Sequence, residues 1–196
     1  MHMLGYPSHF GQMECLKLIA SPKFSDKRIG YLGLMLLMDE DQEVLTLVTN
    51  SLQVDLNDSN HYVQALAMAT IANIASAEIS RDLAPEIDKL MRSPNAYIRK
   101  KAAVCAARMV RKVPELVEDM KSRIASMLDD RNHGVLVAVC SLVIQIVEDH
   151  PDTIPLFRQS LKTLIRHTKS LVHAAFTPEY DVSLPAQRWR PSPAFV

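Results

Sequence analysis

Glycine is scarce in this 196-residue chain, with five copies, and aromatic residues make up only 6% of it. Folds built from strands and tight turns draw on glycine for backbone positions with φ > 0, so a strand-rich architecture is not expected. Cysteine is rare too: Cys15, Cys105 and Cys140 stand far apart. An odd, unclustered set reads as reduced thiols in the cytosol, not as a disulfide framework. No stretch reaches the 18 or so uninterrupted apolar residues of a membrane-spanning helix. The best run, Val135 to Val147, is broken by Ser141 and Gln145. The amino terminus lacks the basic segment and apolar core of a secretory signal. An excess of charge is also missing, with 22 Lys and Arg against 22 Asp and Glu. Dedicated nucleic-acid binders are basic overall, so no nucleic-acid partner is expected.

The motifs of common chemistry are absent as well. There is no GxxxxGK[ST] or GxGxxG phosphate loop, no GxSxG elbow, no HExxH and no CxxC. Seven histidines are scattered; His167 and His173, the nearest useful pair, are six apart and fall on different helix faces. Asp39 to Glu43 is acidic but lacks the glycine and twelve-residue spacing of a calcium loop. It reads as negative charge favouring a helix start. No enzymatic activity, catalytic residue, cofactor or metal is expected.

What the chain does have is Leu, Ala, Met, Ile and Val, with 48% hydrophobic residues overall, and these recur. Val63, Ile98 and Val135 superpose, with Ala67, Ala102 and Ala138 one turn later and Ile74, Met109 and Ile146 closing each copy. Ile29 is read as the start of an earlier copy. The segments Ala77-Glu78-Ile79, Pro114-Glu115-Leu116 and Pro151-Asp152-Thr153 recur in the second half of each unit. Proline is tolerated in a helix's first turn, and Asn60, Asn95 and Asn132 suit N-caps. The expected helices are 9–20, 25–38, 41–56, 60–76, 78–92, 95–112, 115–128, 133–149 and 152–174. Ile98, Ala102, Cys105 and Met109 form one apolar stripe at helical spacing. Helix pairs repeating every 35–40 residues or so predict an all-α fold, an α-solenoid of HEAT or armadillo type. The trunk is expected over residues 1–183. Residues 184–196, with three prolines and the single tryptophan, read as an unfolded or aberrant tail.

One charge feature stands out. From Lys89 to Pro114 there are eight basic residues and no acidic one. Arg99, Lys100, Lys101, Arg108, Arg111 and Lys112 are the candidate functional residues, a surface for anionic lipid headgroups or an acidic partner. Lys23, Lys27 and Arg28 form a smaller cluster of the same kind.

Several strings resemble the gamma-adaptin family. They include Gly5-Tyr-Pro-Ser-His-Phe-Gly-Gln12, Lys23-Phe-Ser-Asp-Lys-Arg-Ile-Gly-Tyr-Leu-Gly33 and Tyr97-Ile-Arg-Lys-Lys-Ala-Ala103. Arg111-Lys-Val-Pro-Glu-Leu116, Asn132-His-Gly-Val-Leu136 and Pro178-Glu-Tyr-Asp-Val-Ser183 continue the likeness, which runs over residues 1 to 183. The resemblance implies a scaffold subunit of a clathrin-associated adaptor complex, sorting cargo between trans-Golgi network and endosomes. The partners it implies are a beta-adaptin, a small and a medium subunit, an Arf-family GTPase and phosphoinositide. Clathrin contact is expected only through regions this chain lacks. The implied location is cytoplasmic, peripheral on Golgi and clathrin-coated vesicle membranes. The family continues with further helices on both sides, so the sequence reads as a truncated gene model or shifted frame. A different HEAT-type interaction scaffold is the alternative that periodicity alone leaves open.

Overall fold

The computed structural model describes residues 10–38, 44–155, 157, 158, 160–162, 164 and 165. The tail expected at 184–196 and the acidic run at 39–43 lie outside them. Eight α-helices follow in order: α1 (Phe10–Ile19), α2 (Phe24–Leu37), α3 (Val44–Leu56), α4 (His61–Ile74), α5 (Ala77–Met91), α6 (Ala96–Lys112), α7 (Leu116–Met127) and α8 (His133–Asp149). A 3₁₀ turn at Pro151–Thr153 follows, and the described residues from 154 to 165 are helical. No strand occurs among the described residues. The expected starts at 9 and 41 lie outside the described residues; the other boundaries agree within about two residues through α8. The ninth helix opens with that 3₁₀ turn, and its expected end lies outside the described residues.

The helices begin where local chemistry starts them. Asn60 and Asn95 each accept a hydrogen bond at 2.9 Å from the backbone N–H two residues on, at Tyr62 and Tyr97. Asn132 accepts from Val135 at 3.3 Å, and Ser76 does the same for Ile79 at 3.4 Å. Such caps satisfy donors that the first turn cannot pair internally. A further layer supports each asparagine: its own N–H donates to Asp58, Ser93 or Asp130, two residues upstream. Pro85 lies inside α5 and removes one backbone donor from it. The helix continues regardless, because Ile79, Leu83, Ile87, Leu90 and Met91 are buried along one side.

Consecutive helices pair as α1–α2, α3–α4, α5–α6 and α7–α8, and the pairs stack in series. The even helices α2, α4, α6 and α8 touch one another directly; α3, α5 and α7 form a second, more loosely spaced layer. The even helices thus form one continuous layer across successive units, the kind of surface on which solenoids bind partners. Alanines make the tight spacing feasible. Ala67, Ala102, Ala103 and Ala106 are fully buried between neighbouring helices. The superposed positions Val63, Ile98 and Val135 are all buried, as are Ile74, Met109 and Ile146. Ile29, read as the start of the earliest copy, does not occupy a core position. Ile29 is 60% exposed, whereas Gly30 and Tyr31 are buried. The cause is the close crossing of α1 and α2, which needs Gly30 at the contact: a Cβ there would lie 2.8 Å from the Ile19 nitrogen.

Polar ties cross from unit to unit. The Lys27 ammonium reaches both carboxylate oxygens of Asp55 at 2.8 and 2.9 Å and the Ile19 carbonyl at 2.8 Å. The Tyr31 hydroxyl donates to the same carboxylate at 2.7 Å. Burial, then the hydrogen bond and the charge of Asp55, push the Tyr31 phenol far above its ordinary pKa. Lys27 is therefore a half-buried structural cation and not part of a basic surface cluster, as its position in the sequence suggested.

Candidate functional site

The basic block falls on α6, and the helix sorts its cations by face. Ile98, Ala102, Ala103, Cys105, Ala106, Met109 and Val110 turn inward. The ridge left outside carries Tyr97, Lys100, Val104, Arg108 and Arg111, with Lys101 half-buried at its edge. Arg99 and Lys112 are also half-buried, and both are engaged.

Arg99 grips Asp130 of the next unit with two parallel bonds, Nε to Oδ2 at 2.7 Å and Nη2 to Oδ1 at 3.1 Å. Its Nη1 also donates to the carbonyls of Ser93 and Pro94. This bidentate geometry is the strong form of an ion pair. Burial pushes the Asp130 carboxyl up, but the Arg99 guanidinium, then the N–H groups of Asn132 and Arg131, outweigh it and hold the group below its usual value. A carboxyl with a depressed folded-state pKa stabilises the fold above its unfolded value, near 3.8, and that contribution is lost as pH falls through the folded value. Asp130→Asn is accordingly expected to cost about 1–3 kcal/mol at pH 7. The gap from wild type should close as pH falls below 3.8. Urea unfolding of both proteins from pH 7 to pH 3 reads this directly, and a gap that stays constant would sink the assignment.

Lys112 donates to the Ala75 carbonyl at 2.7 Å. Ala75 is the C-cap of α4, so this cation meets the negative end of a neighbouring helix. Two more cations of the block are held as well, Arg92 by Asp88 at 2.7 Å and Lys89 by Asn57 at 2.8 Å. What remains is Lys100, Lys101, Arg108 and Arg111. None of these four has a carboxylate partner among the described residues. Lys101 instead lies over the Tyr97 ring, 6.0 Å from its centroid.

Tyr97 ends an aromatic row that the sequence reading did not find. Phe24, Tyr62 and Tyr97 start α2, α4 and α6, with successive ring centroids 6.2 Å apart and rings tilted by 55° and 56°. All three are exposed. The signal was present in the sequence as an aromatic two residues after Asn60 and again after Asn95. Gly134 holds that slot in α8 and ends the row.

Between α4 and α6, on the same side, lies a cavity of about 130 Å³. Ala69, Ala72 and Val104 line it, Cys105 forms part of its floor, and Lys101, Arg108 and Asn73 stand around it. Burial pushes the Cys105 thiol up to about 12, so it stays protonated and unreactive at neutral pH. A larger cavity of about 440 Å³ borders α8 and the helical residues after it, walled by Cys140, Val143, Ile144, Val147, Phe157 and Leu161. Neither cavity brings a base to an activated nucleophile, the minimum for covalent catalysis. Among the described residues, no group of His, Cys, Asp or Glu could hold a metal, and no helix is long and apolar enough to cross a membrane.

A two-layer stack of helix pairs with an exposed basic ridge is compatible with many binding scaffolds. The comparison with known families decides among them: residues 1–177 match the adaptin N terminal region. The chain belongs to the adaptin family. This adaptin is 56% identical over 183 residues to AP-1 complex subunit gamma-1 of Mycosarcoma maydis, covering 93% of the chain and 21% of that protein. It is 53% identical over 184 residues to AP-1 complex subunit gamma-1 of Arabidopsis thaliana, with the same 93% and 21% coverage. Similarity to AP-2 complex subunit alpha-2 of Dictyostelium discoideum is lower, 39% over 155 residues, covering 77% of the chain and 16% of that protein. The gamma-type likeness of the quoted strings is thus upheld over nearly the whole chain. The adaptin spans about a fifth of the length of these gamma relatives. A chain of the homology model of the full-length AP-3 complex in an intermediate open conformation superposes with a TM-score of 0.72 at 27% identity, covering 83% of this chain and 29% of that one. The all-α solenoid expectation therefore holds in both sequence and structure, and the adaptin joins a family of complex subunits and not of enzymes.

Proposed function

We propose that this chain is a trunk segment of the large scaffold subunit of a clathrin-associated adaptor complex, working in vesicle-mediated transport between trans-Golgi network and endosomes. The observation that carries this reading is the 56% identity to an AP-1 gamma subunit across 93% of the chain. The scaffold acts by holding a beta-type large subunit and the small and medium subunits. An Arf-family GTPase and phosphoinositide recruit the assembly to the cytoplasmic face of Golgi and vesicle membranes, so membrane contact is peripheral. The continuous layer of even helices supports a holding role, since it presents side chains of several units to one partner.

Co-expression with small and beta adaptor subunits tests the reading. Stable co-purification on a tag carried by this chain is the expected result. A soluble chain, helical by circular dichroism and free of both subunits after one affinity step, would assign adaptor assembly to other parts of the parent protein.

A further inference from the structure

We propose that the slot between α4 and α6 docks an acidic segment of a partner subunit, seating one aliphatic side chain between two carboxylates that pair with Lys101 and Arg108. The inference rests on the scaffold reading only for the partner's being an adaptor subunit.

Three observations lead there. The first is selective vacancy of charge. Around these two residues, Lys89, Arg92, Arg99 and Lys112 all have partners inside the chain, whereas Lys101 and Arg108 have no carboxylate among the described residues. The surroundings supply none either: α4 contains no charged residue and α6 no acidic one. Second is spacing. Lys101 and Arg108 are seven residues apart on one helix, two turns or about 10.5 Å along the axis, the same rise as between carboxylates at positions i and i+7 of a partner helix. The third is what lies between them. The cavity, about 130 Å³ and lined by Ala69, Ala72 and Val104, is close to the roughly 150 Å³ that holds a benzene in an apolar core. It accommodates one branched aliphatic side chain. The exposed rings of Tyr62 and Tyr97 extend the apolar surface beyond the Lys101 end, the kind of rigid aromatic anchor that interfaces favour.

The test uses the full 196-residue chain and a fluorescein-labelled helical peptide with glutamates seven residues apart flanking a leucine. Anisotropy titrations should show the peptide binding at low salt and weakening as salt rises. K101E/R108E should weaken binding at least tenfold, as should replacing both peptide glutamates with glutamine. Val104→Phe, which fills the slot without touching charge, should weaken it comparably. A peptide with lysines in place of the glutamates should bind K101E/R108E better than wild type. Val104 and Arg108 are exposed and Lys101 is half-buried, so unchanged thermal melts are the check that the variants fold. Equal affinity of wild type and K101E/R108E for the acidic peptide would overturn the inference. So would wild-type binding to phosphatidylserine vesicles that K101E/R108E abolishes, with no peptide bound, since the ridge would then serve a lipid surface. The two readings separate cleanly. If adaptor subunits fail to co-purify but the peptide binds as described, the slot stands and the scaffold reading falls. If they co-purify equally with wild type and K101E/R108E and the peptide shows no preference, the slot falls alone.

Discussion

Gly30→Ala should be among the most damaging single-methyl changes available in this chain. A Cβ at position 30 would sit 2.8 Å from the Ile19 nitrogen and 2.9 Å from the Cys15 carbonyl oxygen. Both are backbone atoms of α1, so relief requires one helix to move away from the other. Overpacking of this kind costs about 1–3 kcal/mol and sometimes more. The upper end is expected, because no rotamer change can remove the clash. In a domain of this size that is roughly a 6–12 °C loss in Tm. Gly33 is the internal control. Its Cβ would meet the Cys15 sulfur at 2.5 Å, a side-chain atom that Cys15→Ala deletes. Gly33→Ala in that background should be neutral or stabilising, since alanine exceeds glycine in helix propensity by about 1 kcal/mol. Melting curves of the single and double variants decide it; equal losses for Gly30→Ala and Gly33→Ala in the Cys15→Ala background would refute the backbone-clash account.

Asp55→Ala should cost as much or more. Asp55 is 2% exposed and takes bonds from the Lys27 ammonium and the Tyr31 hydroxyl. Removing it strands a cation whose side chain is 12% exposed, left with the Ile19 carbonyl alone, and orphans a fully buried phenol. Breaking one partner of a buried ion pair typically costs about 3–5 kcal/mol. Replacing the whole set is a different matter. A Lys27→Met, Tyr31→Phe, Asp55→Leu variant removes every desolvation cost at once and should recover most of the loss. Urea midpoints for the single and triple variants provide the measurement. A triple variant as unstable as Asp55→Ala would mean that packing volume, and not stranded charge, explains the loss.

The repeat was legible because it is written in local terms. Buried positions such as Ile98 and Val135 recur at one-unit spacing, and Asn60, Asn95 and Asn132 cap the helices that begin beside them. Of the six cations read as a surface, Lys100, Arg108 and Arg111 are exposed, while Arg99, Lys101 and Lys112 are half-buried. What failed to show were ties between units. Arg99 and Lys112 look like surface cations in the sequence, yet their partners, Asp130 and the Ala75 carbonyl, lie 31 and 37 residues away. Lys27 looked like its neighbours Lys23 and Arg28, and only the fold brings Asp55 within 2.8 Å of it. Nothing in composition ranks one lysine above another; burial does, and burial is set by the stacking of units.

Those ties share a reach. The tie from Lys27 spans 28 residues, from Arg99 31, from Lys89 32, from Arg123 to Asp88 35, and from Asn73 to Met35 38. Each therefore joins one unit to the next and stops there. A chain wired this way never waits for a distant strand to complete its core. On the ribosome, where synthesis proceeds from the amino terminus at about 5–20 residues per second, each helix pair can dock within seconds of its successor's emergence. Short loop closures are also the ones that fold fastest. The nascent protein then exposes one unfinished apolar face at a time, and the surface that must be shielded from aggregation stays the size of a single repeat however long the parent chain becomes.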